Sequence, residues 1–121
     1  MTTQAEREFH AEMVRGAERL KREIGYNPTR FTQMVGEHGG VEAARHLLRG
    51  ADASDGFTTL WEAQRLDVSV EAIVLLPWYE SVFTDAEREV ARHRLVGYRF
   101  DTDAFIAERS RRAPAWTAEP E

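Results

Sequence analysis

The sequence predicts an all-α protein: a compact bundle of about six to seven helices with a long N-terminal helix. Three observations predict it. Apolar residues recur three or four positions apart over most of the chain, capping residues precede those runs, and glycines follow several of them. At 121 residues, 42% of them hydrophobic and with six Phe, three Trp and three Tyr, the chain fits one domain around one core.

Thr3 to Ile24 places Phe9, Met13, Ala17, Leu20 and Ile24 along one helical stripe. Thr3 and Glu6 have the spacing of a capping box, and Gly25 stands where a left-handed residue would end the helix. The stripe is narrow, closer to a docking seam than to a core face. Next, Asn27 can cap, Pro28 suits a first helical position, and Tyr26 can staple onto Phe31; Met34 and Val35 then face inward. Gly39-Gly40 breaks this helix and turns the chain into Val41–Arg49, with Val41, Ala44, Leu47 and Leu48 apolar.

Gly50 to Ala53 reads as a loop, after which Ser54 can cap a helix bearing Phe57, Leu60 and Trp61. Ser69 can cap the next. Ala72 to Leu76 is apolar on nearly every side, which marks the central element, and Pro77 ends it. A strand is the rival reading here, because Val68, Val70, Ala72, Val74 and Leu76 alternate and Val96, Tyr98 and Phe100 could pair with them. Helix is preferred, since an isolated two-stranded pair is weak and no third strand is in sight. Thr84 and Glu87 form a second capping box, opening a helix expected to stop at Gly97. Asp101 or Thr102 can cap a last helix with Phe105 and Ile106, followed by a tail expected to be mobile unless Trp116 docks.

These residues include a familiar set: Tyr26-Asn27-Pro28 with Phe31 and Met34, Gly39-Gly40 with Ala43-Ala44 and Leu47-Leu48, the run DGFTTLWEAQRLDVSVEAIVL from Asp55, and Phe83-Thr84 with Glu87, Ala91, Arg94 and Leu95. Over roughly residues 25–98 the chain resembles a family of small bacterial helical proteins, common in actinobacteria and without an assigned activity. The resemblance implies a helical fold and a bacterial source, and carries no catalytic residue across.

Composition narrows the functional classes. The absence of cysteine removes disulfides, Cys-based zinc sites and thiol nucleophiles. The opening MTTQAEREFHAEM lacks the apolar core of a signal peptide, and Ala72–Tyr79 is too short to span a bilayer, so a cytoplasmic location is expected with no membrane partner. A net charge of −5, with neither half basic, weighs against nonspecific nucleic-acid binding.

Glu6–His10, Glu42–His46 and Glu89–His93 each put two potential metal ligands on one helical face, but the pairs are dispersed, so no metal and no cofactor is expected. Glu62, Arg65, Asp67 and Glu71 cluster around a helix junction, read as an ion pair centred on Arg65 that fixes an interhelical angle. Arg88, Arg92, Arg99, Arg109, Arg111 and Arg112 could form a basic face, but acidic residues interleave with them.

Residues 1–24 are therefore expected to form a docking or dimerisation arm, 25–112 a helical core and 113–121 a tail. The expected function is a non-enzymatic interaction module that binds a protein partner or its own copy. Its expected contacts are Phe9, Met13, Leu20 and Ile24 of the stripe, together with Trp78 and Tyr79, which read first as core and would form an aromatic patch if exposed beyond Pro77. A nucleic-acid-associated regulatory or phage-defence factor is the alternative, and a small metal-dependent hydrolase the third reading.

Overall fold

The computed structural model describes residues 2–50 and 53–118, and among them no strand occurs. The helices run α1 (Gln4–Ile24), α2 (Thr29–His38), α3 (Gly40–Arg49), α4 (Asp55–Glu62), α5 (Val70–Val74), α6 (Asp85–Gly97) and α7 (Thr102–Ser110). Single 310 turns at Leu66–Val68, Pro77–Tyr79 and Ala115–Ala118 join or end them. Of the loop expected around residue 51 and the tail expected to residue 121, residues 51–52 and 119–121 lie outside the described part.

Local chemistry sets most boundaries. Both capping boxes form: the Thr3 and Thr84 hydroxyls accept from the amides of Glu6 and Glu87, whose carboxylates accept from Thr3 and Thr84 N–H in return. Ser54, Ser69 and Asp101 accept from Phe57, Ala72 and Ala104 amides. Gly25 takes φ 68° at the end of α1, and Gly39, at φ 88°, separates α2 from α3.

Two expected boundaries are displaced. Asn27 provides no side-chain cap, and α2 starts at Thr29, one residue beyond Pro28. The helix expected to stop at Gly97 includes it, and the left-handed residue is Arg99 at φ 62°. Phe100 N–H bonds Leu95 O at 2.9 Å and Arg99 N–H bonds Val96 O at 2.9 Å, which is the Schellman pairing. Gln64, at φ 60°, ends α4 in the same way. Packing of Tyr98 against Phe57 and Trp61, with ring centroids 4.9 and 5.3 Å away, fixes where α6 turns.

The core is centred where the apolar run predicts it: residues 71–76 are all buried, in α5 and the turn after it. Pro77 terminates that run, as its missing N–H requires. Around it pack α6 through Ala91 and Leu95, α3 through Ala43, Ala44 and Leu48, and α1 through Phe9, Met13 and Leu20.

The placement of α1 corrects the expected docking seam. Phe9 is fully buried, edge-on to Tyr79 at 5.1 Å and Phe83 at 4.9 Å. Met13 and Leu20 are each 5% exposed, and Ile24 is half-buried against the same cluster. The stripe is narrow because it meets one strip of the core, and residues 1–24 do not stand apart as an arm. Trp116 also packs on the core, 6.2 Å from the Tyr79 ring, so residues 113–118 follow the docked alternative.

The crossing of α1 over α3 depends on one glycine. A Cβ at Gly40 would stand 2.7 Å from His10 Cα, so only glycine permits this approach. His10 Nδ1 accepts the Gly40 N–H at 2.9 Å, giving α3 a cap supplied by α1 where its own Gly39 has no side chain. Gly40→Ala is therefore expected to cost about 2–3 kcal/mol in urea denaturation, as overpacking does. Gly36→Ala, within α2 and with open space around its Cβ, is expected to gain about 0.5–1 kcal/mol.

Candidate functional site: a cleft beneath the N-terminal helix

α1 is anchored along its length, but one stretch of it, at Gly16 and Ala17, carries only small side chains. Phe9 and His10 seat the first half. Near the other end, Glu23 accepts from Arg65 at 2.7 Å and from Arg19 at 2.9 Å, and these bonds, Arg65 first, hold its carboxyl below the usual carboxylate range. Between these anchors lie Gly16 and Ala17, and a Cβ at Gly16 would meet nothing within 4 Å. Two adjacent small residues leave unfilled the volume that larger side chains would occupy.

The result is a cleft of about 1280 Å³ between α1, α2, the start of α4, α5 and α7. Its floor is apolar and buried, formed by Met13, Leu20, Phe57, Leu60 and Ile73; Phe31, Met34, Val70 and Phe105 line the sides. Arg15, Arg19 and Arg22 follow one another by four and three residues along α1, one helical edge, with Arg30 of α2 and Arg112 of α7 also on the lining, and carboxylates share it, among them Glu18 of α1, Asp55 of α4 and Glu108 of α7. Arg19 pairs with Glu23 and Arg112 with Glu108. Arg15, Arg22 and Arg30 are exposed and make no ion pair among the described residues.

Polar networks fix the two ends. At the α7 end, Glu12 accepts from Tyr79 Oη at 2.6 Å and from Arg109 Nη2 at 2.9 Å, joining three elements through one carboxylate. Burial, then the bond to Glu12, pushes the Tyr79 hydroxyl well above the ordinary phenol range, so it remains a donor. On the floor near α5, Glu71 is 2% exposed and lies 3.3 Å from Arg94. Arg94 also donates to Leu47 O at 2.9 Å, Leu48 O at 3.4 Å and Gly50 O, capping the end of α3 from α6.

Several expected sites resolve differently. Arg65 does form an ion-pair centre, with Asp67 at 3.2 Å, but its second partner is Glu23 and not Glu71, while Glu62 is exposed. Tyr79 is 1% exposed, and Trp78 is half-buried with its Nε1 inside and without an acceptor. Together they form no aromatic patch; the exposed tryptophan is Trp61, at 47%.

The Glu–His pairs stay dispersed, and among the described residues no three His, Asp or Glu side chains gather as a metal would need. Of the C-terminal arginines, Arg88 donates to Leu75 O, Arg92 to Thr102, Arg109 to Glu12, and Arg111 and Arg112 pair with Glu108. These five face several partners, while Arg99 is exposed and makes no ion pair among the described residues.

Sequence reasoning missed the cleft. The only signal was the Gly16-Ala17 interruption in a stripe of large residues, beside arginines spaced for one edge.

Burial raises the Glu71 carboxyl above its ordinary 4.5, outweighing the attraction of Arg94. The folded chain thus binds this proton more tightly than the unfolded chain, and the group's contribution to stability diminishes as pH rises from 4.5 through its raised folded-state value. Relative to wild type, Glu71→Gln is expected to gain stability over that interval and to lie within about 1 kcal/mol of it at pH 7, measured by urea denaturation at several pH values. Arg94→Met, which leaves the carboxylate buried alone and uncaps α3, is expected to cost about 3–5 kcal/mol.

No family model, curated protein or solved structure matches the chain.

Proposed function

We propose that the protein is a non-enzymatic interaction module whose cleft accepts an amphipathic helix, acidic along its flanks, from a partner protein. The observation that carries this reading is the apolar floor beneath an arginine edge whose Arg15, Arg22 and Arg30 lack acidic partners among the described residues. Buried apolar anchors supply affinity in such grooves, and complementary charge sets orientation and encounter rate.

The reading keeps the expected interaction function but moves it from the stripe of α1 to the space beside it. Nucleic acid is less well supported, since most of the C-terminal arginines already hold carboxylates or carbonyls. No helix among the described residues is long and apolar enough to cross a membrane.

Affinity capture from a lysate of the source organism tests the proposal by comparing variants. Gly16→Met, which fills the cleft from a position with open space, and the triple charge reversal Arg15→Glu, Arg22→Glu and Arg30→Glu are each expected to reduce the captured partner at least tenfold. Trp61→Ala, on another surface, is expected to leave it unchanged. Equal recovery with all four proteins, or no partner recovered above a bare-resin control, would contradict the proposal.

A further inference from the structure

α3 begins with an amide that its own segment does not satisfy. Gly40 N–H is the first donor of the helix, and Gly39 before it carries no side chain to accept from it. His10 Nδ1 accepts that N–H at 2.9 Å, from α1 on the other side of the crossing. A backbone N–H only donates, so Nδ1 carries no proton, and the ring is the neutral tautomer with its hydrogen on Nε2.

The bond stands at the closest approach of the two helices. A Cβ at Gly40 would lie 2.7 Å from His10 Cα and 3.3 Å from Cγ of Met13, a floor residue of the cleft. Protonating the imidazole therefore acts where α1 is seated. It turns Nδ1 from an acceptor into a donor and sets two N–H groups against each other. It also brings positive charge to the amide end of α3, which the helix dipole opposes. Histidine is the side chain whose charge ordinarily changes between about pH 5 and 8. His10 is exposed, so the proton comes directly from water.

The charged groups around the joint are engaged elsewhere. On α1, Glu6 is taken up in the Thr3 capping box and Arg7 donates to Thr2 O, while Glu18 and Lys21 lie about two and three turns further along. At the end of α2, Glu37 faces His38 at 3.7 Å, and on α3 Glu42 holds Arg45 at 2.9 Å. Among the described residues no carboxylate forms an ion pair with His10, so its imidazolium would gain no partner in exchange for the lost bond.

We propose that His10 is an acid-sensitive joint between α1 and α3: the neutral ring caps α3, and its protonation releases the Gly40 amide and loosens the crossing that seats α1. The joint works whatever occupies the cleft, so it stands or falls separately from the docking reading.

The test is NMR spectroscopy of the full chain labelled with nitrogen-15. Above neutrality, a scalar coupling across the hydrogen bond is expected between the Gly40 amide nitrogen and His10 Nδ1, and it is expected to vanish in step with protonation of the His10 ring. Between about pH 7.5 and about pH 5, the protection of the Gly40 amide against solvent exchange, corrected for the intrinsic rate, is expected to drop at least fivefold, while the slowest amides of α6 keep theirs. His10→Asn places a side-chain oxygen where Nδ1 stands and does not titrate, so its drop is expected to stay below twofold. His38→Asn, at a neighbouring histidine, is expected to behave as wild type. Absence of the coupling above neutrality, its persistence after the ring has protonated, or equal changes in wild type and His10→Asn would each overturn the joint.

Discussion

The arrangement depends on the burial of Phe9. Its ring enters the bundle between Tyr79 and Phe83, linking the first helix to a segment 70 residues later, and it keeps no exposed surface. Removing such a side chain from water contributes about 1.5–3 kcal/mol, and its aromatic neighbours add about 0.5–1.5 kcal/mol. Once Phe9 is seated, α1 must cross α3 closely, which calls for glycine at 40, and Glu12 is brought to the Tyr79 hydroxyl and Arg109. The cleft follows from the same constraint: a rigid helix seated through Phe9, Met13 and Leu20 cannot sag to fill the space beside Gly16 and Ala17.

Much of the helical order was legible because it is set by local chemistry. Hydroxyl caps at Thr3, Ser54, Ser69 and Thr84, and the break at Gly39, act within four residues of themselves. What the sequence concealed was any feature requiring two distant segments. Arg99 carries the left-handed turn that glycine was expected to take, because the ring contacts of Tyr98, and not the propensity of Gly97, determine where α6 ends. Glu71 was placed with Arg65 by proximity in sequence, whereas folding brings it to Arg94, 23 residues away.

The same limit explains why the stripe of α1 reads as a docking seam. A helix with a narrow apolar stripe reads alike whether it meets a partner or the edge of its own core, since periodicity reports that a face is buried and not by what. The cleft, by contrast, is built from small residues and from side chains of several helices, with no periodic trace. Its lining is apolar on the floor with charges of both signs at the edge. The carboxylates nearest the floor and the α7 end, Glu71 and Glu12, are each held by an arginine and serve as structural ties.

The claim that α1 is an integral wall of the bundle, and not a separable arm, is tested most directly by native-state hydrogen exchange across α1. The account predicts that the slowest amides between Phe9 and Leu20 open only with global unfolding, at the same free energy as the slowest amides of α6. If they exchange through a separate opening several kcal/mol below that of α6, α1 detaches from an intact core, and the cleft that depends on its seating has no fixed wall.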